Sequence, residues 1–397
     1  MSLLAESVSG YLENASWIRR MFEAGGQLKA RYGAENVYDF SLGNPDLPAP
    51  AAVGEGLRRF AEHAGEPFAF GYMPNAGFPW AREQLAAHLS KEQGVALEAN
   101  DVLLTCGAAG GLNAFLRAVI NPGEKMLTFA PYFVEYGFYV ANHGGSLQAI
   151  MSKPGTFEPD LDALEEAIDE KTRVVLINSP HNPTGVVYSR KAVTSLCRLL
   201  ENKSEQYGHP IWLIADEPYR ELVYGDVTVP FIPCLYRNTI VCYSYSKSLS
   251  LPGERIGYVY VPGFADDSAA VYAAVSGAAR VMGHVCPPTL MQKVIQLCAG
   301  ERPDLAAYDE NRNLLYNSLR EMGYECAKPD GAFYLFVKAP NGDANVFSEK
   351  AKLGYNLLVV PADGFGCPGY FRLSYCVSND MIRRSLPAFR AMMEECR

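Results

Sequence analysis

Lys247 lies in a loop of hydroxyl side chains that follows a strongly apolar run. The run at residues 239–242 is typical of a buried strand, and residues 243–250 after it include four serines. Arg255 follows eight positions after the lysine. An amine that is desolvated or lies beside positive charge can form a Schiff base with a carbonyl compound. Taken alone, a loop lysine is most often solvated surface.

Polar residues also follow two other apolar runs. Asn182 comes after the run at 174–177, in a turn made rigid by prolines, and Asp216 comes after the run at 211–214. A carboxylate at the end of a buried strand needs a cationic or hydrogen-bonding partner to stay charged. Each residue alone is also compatible with an ordinary turn, either an Asn-Pro loop or an aspartate cap.

A run of small residues, 107–111, follows the apolar run at 102–105 and precedes a helical pattern. Small residues at a helix start let backbone N–H groups approach an anion, and the helix dipole favours a phosphate there. The run does not match the phosphate-binding motif of nucleoside triphosphatases. On its own it is also compatible with a simple tight turn.

Taken together, these residues indicate one ligand site, because ligands of parallel sheets bind at the carboxyl ends of the strands. Asn182, Asp216, Tyr219, Lys247 and Arg255 all follow predicted strands. Together they match what pyridoxal 5′-phosphate requires: a lysine for the aldehyde, a carboxylate for the pyridinium nitrogen, donors for the ring oxygen, and cations for the phosphate.

The elements that position this set alternate between apolar runs and helical patterns over residues 100–285. Most runs are continuous, as in strands buried on both faces, and the alternation predicts a largely parallel sheet covered by helices. After residue 286 the pattern changes, which indicates a second domain. We expect an N-terminal segment (1–45) packing against that domain, a large domain (46–285) and a small C-terminal domain (286–397).

Composition excludes several classes of protein. The 397 residues carry a net charge of −9, without a basic run suited to nucleic acid. There is no apolar stretch of the roughly 20 residues that span a bilayer, and the N-terminus lacks the pattern of a secretory signal, which favours a cytoplasmic protein. The ten cysteines form no C-x-x-C pair, so we expect reduced thiols and no metal site.

The chain resembles the class I and II aminotransferases, which are pyridoxal phosphate enzymes of fold type I. The resemblance covers nearly the whole chain and implies an α/β large domain, with a mostly parallel seven-stranded sheet between helices, plus a smaller α+β domain. The segments that carry it are 41–46, Tyr72 with Gly77 and Arg82, 179–185, 216–219, 244–247, 255–257, 331–334 and 371–374.

The resemblance implies a role for each residue around the cofactor ring. Lys247 would bind the aldehyde and later move a proton between the substrate Cα and the cofactor. Asp216 would keep the pyridinium nitrogen protonated, while Asn182 and Tyr219 would donate hydrogen bonds to the ring oxygen. Tyr132 is similar to the aromatic residue that stacks on the ring.

The resemblance also implies how the phosphate and the substrate are held. The phosphate would be bound by Ser244, Ser246, Arg255 and the backbone at Gly107, Ala108 and Ala109. Tyr72 would reach the phosphate of a neighbouring subunit, which implies a homodimer. Arg372 would bind the substrate α-carboxylate as a bidentate pair, with help from Asn182 and the backbone near Gly43.

The implied activity is transfer of an amino group between an L-amino acid and a 2-oxo acid. A carbon–sulfur β-lyase or a related enzyme on the same scaffold is the alternative, since it would keep the same residues. A transcriptional regulator is disfavoured by the acidic charge and by a family match that leaves no room for a DNA-binding domain.

The sequence leaves the amino donor open. Ala109 stands where one bacterial branch of aspartate aminotransferases has a lysine for the distal carboxylate. An aspartate, aromatic, branched, methionine or alanine preference is therefore compatible with the sequence. The side-chain pocket could draw on the aromatic residues Tyr11, Trp17, Phe22, Phe133 and Tyr136.

Overall fold

Seven strands form one sheet in the computed structural model, which describes residues 16–298 and 300–396. The strands of the described chain are β1 (Tyr38–Asp39), β2 (Val102–Thr105), β3 (Lys125–Ala130), β4 (Ser146–Met151), β5 (Thr172–Asn178), β6 (Trp212–Asp216), β7 (Thr239–Ser244), β8 (Gly257–Tyr260), β9 (Tyr334–Lys338), β10 (Leu357–Leu358), β11 (Val360–Pro361) and β12 (Tyr370–Ser374). The large sheet has the order β2-β8-β7-β6-β5-β3-β4. Six of its strands run in one direction, and β8 runs in the opposite direction. The predicted mostly parallel sheet is confirmed.

Helices flank the strands along the described chain. They are α1 (Ser16–Tyr32), α2 (Ala51–His63), α3 (Pro79–Gln93), α4 (Gly107–Val119), α5 (Glu135–Ala141), α6 (Leu161–Ala167), α7 (Arg190–Tyr207), α8 (Tyr245–Ser248), α9 (Ser268–Val281), α10 (Thr289–Cys298), α11 (Leu305–Met322), α12 (Ala344–Tyr355) and α13 (Asn379–Glu395). None of the described helices is long and apolar enough to cross a bilayer.

Both faces of the large sheet are buried under helices. One apolar cluster includes Leu85 of α3, Leu196 of α7 and Val294 of α10. Another includes Leu112 of α4 and Val275 of α9. This arrangement explains the continuous apolar runs, because a strand covered on both sides has no polar face.

A smaller antiparallel sheet follows in the C-terminal part, with the order β11-β12-β9. It packs in a cluster of its own with helices α11, α12 and α13. β1, near the N-terminus, pairs in parallel with β10, with Tyr38 opposite Leu357 and Asp39 opposite Leu358. The segment before the large sheet therefore contacts the C-terminal part directly, while the boundaries at 45 and 285 stay predictions.

A buried ion pair holds the segment that leaves β6. Glu217, which directly follows the strand, is 1% exposed and accepts a hydrogen bond from Arg220 Nε at 2.7 Å and another from Nη2. Arg220 Nη1 donates to Gln93 Oε1 of helix α3 at 3.2 Å. The pair ties the residues after β6 to a helix on the sheet face.

We expect Arg220→Met to lower the free energy of unfolding by about 3–5 kcal/mol, because it leaves Glu217 as an uncompensated buried charge. Urea unfolding followed by circular dichroism measures the change. Arg58→Met, which breaks an exposed pair with Glu55, is the matched control and should have a much smaller effect. Equal losses in the two variants would contradict a structural role for the buried pair.

Candidate active site

A cavity of about 320 Å³ opens at the carboxyl ends of the parallel strands, where the sheet meets the C-terminal part. Most of the residues singled out from the sequence line it. Its wall is formed by Leu42, Gly43, Ala108, Ala109, Leu112, Phe133, Glu135, Tyr136, Tyr139, Asn178, Asn182, Asp216, Pro218, Tyr219, Ser244, Ser246, Lys247, Pro252, Arg255, Tyr334 and Arg372.

Lys247 projects into this cavity from α8, the short helix that follows β7. Its Nζ donates a hydrogen bond to the carbonyl oxygen of Gly43 at 2.5 Å. Burial lowers the pKa of Lys247 to about 8; the positive charges of Arg372 and Arg255 act in the same direction, and Cys376 opposes them. The amine is thus neutral, and nucleophilic, at a lower pH than an exposed lysine.

Asp216, at the end of β6, presents a carboxylate with one free oxygen. The hydroxyl of Tyr136 donates to Oδ2 at 2.5 Å, whereas Oδ1 is buried without a hydrogen-bond partner among the described residues. Burial raises the pKa of Asp216 to about 7, against the lowering effect of the Tyr136 hydrogen bond. A cationic N–H donor in the cavity would satisfy this oxygen and keep the carboxylate ionised.

One end of the cavity has the groups of a phosphate site. Ser244 and Ser246 lie with their hydroxyl oxygens 2.7 Å apart, and Arg255 also lines the wall. Helix α4 begins here at Gly107, which has a φ of +72°. A Cβ at Gly107 would lie 2.8 Å from Arg255 Nη2, so the glycine leaves room for the guanidinium against the helix start. Cations, hydroxyls and a helix N-terminus together suit a dianion.

Arg372 of β12 forms a second cationic end of the cavity and is buried. Its Nη1 donates to Asn182 Oδ1 at 3.1 Å and its Nη2 to the carbonyl oxygen of Ser41 at 2.7 Å. Its Nε has no hydrogen-bond partner within the described chain. The guanidinium is therefore held in a fixed orientation with donor capacity left for a carboxylate.

Tyr219 and Tyr334 form a hydroxyl pair between the two sheets. Their oxygens lie 2.9 Å apart, and both rings are buried. Gly43 packs directly against Tyr334, since a Cβ at this position would collide with the Tyr334 hydroxyl. Burial raises the pKa of Tyr334 to about 12, so both phenols stay protonated and can donate at neutral pH.

The aromatic side chain against the cavity differs from the one expected. Phe133 lines the wall, whereas Tyr132 does not: its backbone N–H donates to Phe365 O at 2.9 Å and its ring packs against Gly366. The structure therefore places Phe133 on the wall and Tyr132 behind it, while the stacking of an aromatic ring on a cofactor stays a prediction. Of the other pocket aromatics suggested by the sequence, Tyr136 lines the cavity. Tyr11 and the side chains of Trp17 and Phe22 lie outside the described residues.

Two further predicted residues are not part of the cavity wall. Gly107 is adjacent to it at the helix start. Tyr72 is 96% exposed and reaches no part of the cavity in its own chain. Sequence reasoning missed Tyr334 as a wall residue, although the motif at 331–334 contained it, and it also missed Glu135 and Tyr139.

Selective acylation should show the lowered pKa of Lys247. In the ligand-free protein we expect reaction with acetic anhydride to reach half its maximal rate near pH 8 at Lys247, because the neutral amine reacts. Contact with Glu325 raises the pKa of Lys338, which should need a higher pH. Peptide mass spectrometry measures both sites in one sample. If the pH profiles of Lys247 and Lys338 coincide, the pKa of Lys247 is not lowered relative to that of Lys338.

Comparison with known proteins agrees with this geometry. Residues 34–389 match the family "Aminotransferase class I and II". An aspartate aminotransferase of Thermotoga maritima is 32% identical over 367 residues, covering 89% of this chain and 90% of that protein. A solved amino transferase from Eubacterium rectale has 47% identity and a TM-score of 0.96, covering 100% of this chain and 99% of its own. A Thermus thermophilus aspartate aminotransferase solved with maleate has 26% identity and a TM-score of 0.87, covering 99% and 100%. The chain belongs to the class I and II aminotransferases, enzymes that move an amino group between an amino acid and a 2-oxo acid.

Proposed function

We propose that this aminotransferase works with pyridoxal 5′-phosphate bound in the cavity at the strand ends. The observation that carries the proposal is the free, buried Oδ1 of Asp216, in a cavity that also holds a lysine of lowered pKa. A protonated pyridine nitrogen is the kind of donor this oxygen lacks. When bound, the cofactor would supply an electron-withdrawing ring that stabilises negative charge at the substrate Cα.

Different residues of the wall would bind different parts of the cofactor. Ser244, Ser246 and Arg255 would bind its phosphate, with the backbone at Gly107, Ala108 and Ala109. Asn182 and Tyr219 would donate to the ring oxygen, while Asp216 would accept from the ring nitrogen. Phe133, rather than Tyr132, would pack against the ring.

Lys247 and Arg372 would act on the substrate. Lys247 would hold the cofactor through its aldehyde and, once released, take the proton from the substrate Cα. Arg372 would bind the α-carboxylate, which places the Cα–H within reach of the lysine. Because Asn182 and Ser41 already orient the guanidinium, little side-chain freedom is lost on binding.

The proposed donor is an L-amino acid, and the cavity wall does not define which side chain it carries. Ala109 gives that part of the wall no charge, so it offers no partner for a distal carboxylate. The structural relatives with aspartate in their names therefore do not by themselves assign aspartate to this chain.

The active unit would be a homodimer, completed by Tyr72. Three aromatic side chains in one short segment are exposed in the isolated chain: Phe68 is 91% exposed, Phe70 is 63% exposed and Tyr72 is 96% exposed. Clustered exposed aromatic residues mark an interaction surface. We propose that this segment packs on a second copy and that Tyr72 reaches the phosphate end of the copy's cavity.

A half-reaction tests the proposed function. Purified cofactor-loaded enzyme, mixed with a single L-amino acid and no oxo acid, should lose its yellow absorption band and release one equivalent of 2-oxo acid per active site. Lys247→Ala should bind the cofactor without a covalent label after borohydride reduction and lose turnover by orders of magnitude. Lys338→Ala, at an exposed site, is the matched control.

Repeated release of pyruvate and ammonia, with the yellow band retained, would instead identify a β-lyase and overturn the transaminase proposal. Normal turnover in Lys247→Ala would remove the lysine from the chemistry.

We expect Arg372→Lys to lower kcat/KM by about 10- to 100-fold, because an ammonium cannot reproduce a bidentate pair worth roughly 1.5–3 kcal/mol. Steady-state kinetics with the best donor measures the loss. The absorption spectrum of the bound cofactor should stay unchanged, since Arg372 is assigned to the substrate. An unaltered KM and kcat would contradict this assignment.

A further inference from the structure

A second cavity, of about 370 Å³, lies between the large sheet and the helices α3 and α10. It shares no lining residue with the active-site cavity, although Ser248 on its wall directly follows Lys247. Nothing in the proposed reaction uses it. Its size is within the range of small-molecule sites.

The floor of this cavity is made of buried tyrosine rings. Tyr243, Tyr245 and Tyr258 all line it, and each is less than 10% exposed. The ring centroids of Tyr243 and Tyr258 lie 4.8 Å apart, and those of Tyr243 and Tyr245 lie 5.1 Å apart. Tyr243 and Tyr258 stack on each other and Tyr245 packs edge-on against Tyr243, so the three rings form one aromatic wall. An aromatic wall attracts organic cations.

A carboxylate with one unpartnered oxygen lies beside these rings. Glu221 Oε1 accepts a hydrogen bond from the Tyr243 hydroxyl at 2.8 Å, while Oε2 is buried and has no partner among the residues described. Burial raises the pKa of Glu221 to about 7. The adjacent Arg220 is already engaged through Nε and Nη2 with Glu217 and through Nη1 with Gln93.

The cationic side chains that line the cavity, Lys91 and Arg302, are both exposed at its rim. Arg302 Nη2 lies 3.6 Å from Glu92 Oε1. Deeper in the cavity, the charge of Arg220 acts on Glu221, but Oε2 of Glu221 accepts no hydrogen bond from the residues described. An N–H donor that carries positive charge would satisfy both the free oxygen and the aromatic floor.

We propose that this cavity is a binding site for a small organic cation with N–H donors, of the guanidinium or primary ammonium class. The planar guanidinium fits best, because it is only weakly hydrated, packs against aromatic side chains and donates to a carboxylate at the same time. The site is separate from the active-site cavity and does not depend on the reaction proposed for it.

Calorimetric titration of the cofactor-loaded enzyme tests the site. Methylguanidinium should bind saturably with one site per chain, and methylurea, its uncharged analogue of similar shape, should bind about tenfold more weakly or not at all. Methylammonium distinguishes the two cation classes: tighter binding than that of methylguanidinium would assign the site to ammonium compounds. The cofactor absorption should not change, which separates this binding from binding at the active site.

Two variants locate the binding. Glu221→Gln should weaken methylguanidinium binding by about tenfold or more, whereas Glu301→Gln at the exposed rim should change it by about twofold at most. Thermal unfolding establishes that both variants fold. Equal binding of methylurea and methylguanidinium, a comparison that needs no variant, would overturn the proposal. Unchanged binding by a folded Glu221→Gln variant would also overturn it.

Discussion

The buried carboxylate of Asp216 is the constraint on which the rest of the site depends. An ionised carboxylate in an apolar interior is costly unless donors surround it, and here Tyr136 supplies only one. β6 is buried along its whole length and delivers the carboxylate at its end. The ion pair between Glu217 and Arg220 fixes the chain immediately after it. The protein thus maintains a buried carboxyl group whose second oxygen a bound ligand can satisfy.

The cavity acquires its second cationic end from the smaller sheet. Arg372 projects from β12. In the register of β12 against β9, Arg372 pairs with Phe336, and Ser374, two positions later, pairs with Tyr334. Asn182 and Ser41 connect the guanidinium to the turn after β5 and to the N-terminal segment. Three separate parts of the chain therefore orient one cation, and its distance from Lys247 depends on how the two sheets pack.

The sequence was sufficient to predict site residues that follow buried strands. The apolar run marks the strand, and the polar residue after it marks the end of the strand. Lys247, Asp216 and Asn182 were found in this way. β4 was missed because its edge position leaves most of its side chains exposed, so it has no continuous apolar run. Tyr132 and Phe133 are adjacent aromatic residues, and the sequence alone does not show which ring faces the cavity. In the structure the Tyr132 ring packs against Gly366, and Phe133 lines the wall. Tyr334 required the register of the small sheet, which no local pattern contains.

The two cavities differ in the charged groups of their interiors. Lys247, Arg255 and Arg372 line the first beside Asp216, which suits a ligand with phosphate and carboxylate groups. Glu221 and tyrosine rings line the interior of the second, whose cations Lys91 and Arg302 are exposed at the rim. The boundary between them is the short stretch from Tyr243 to Ser248, where alternate residues of β7 point to opposite faces. Ser244 faces the phosphate end, while the hydroxyl of Tyr243 contacts both Glu221 and Ser248 on the other side. One strand end and one helical turn thus contribute residues to both cavities. A change in the packing of this segment would therefore change the shape of both.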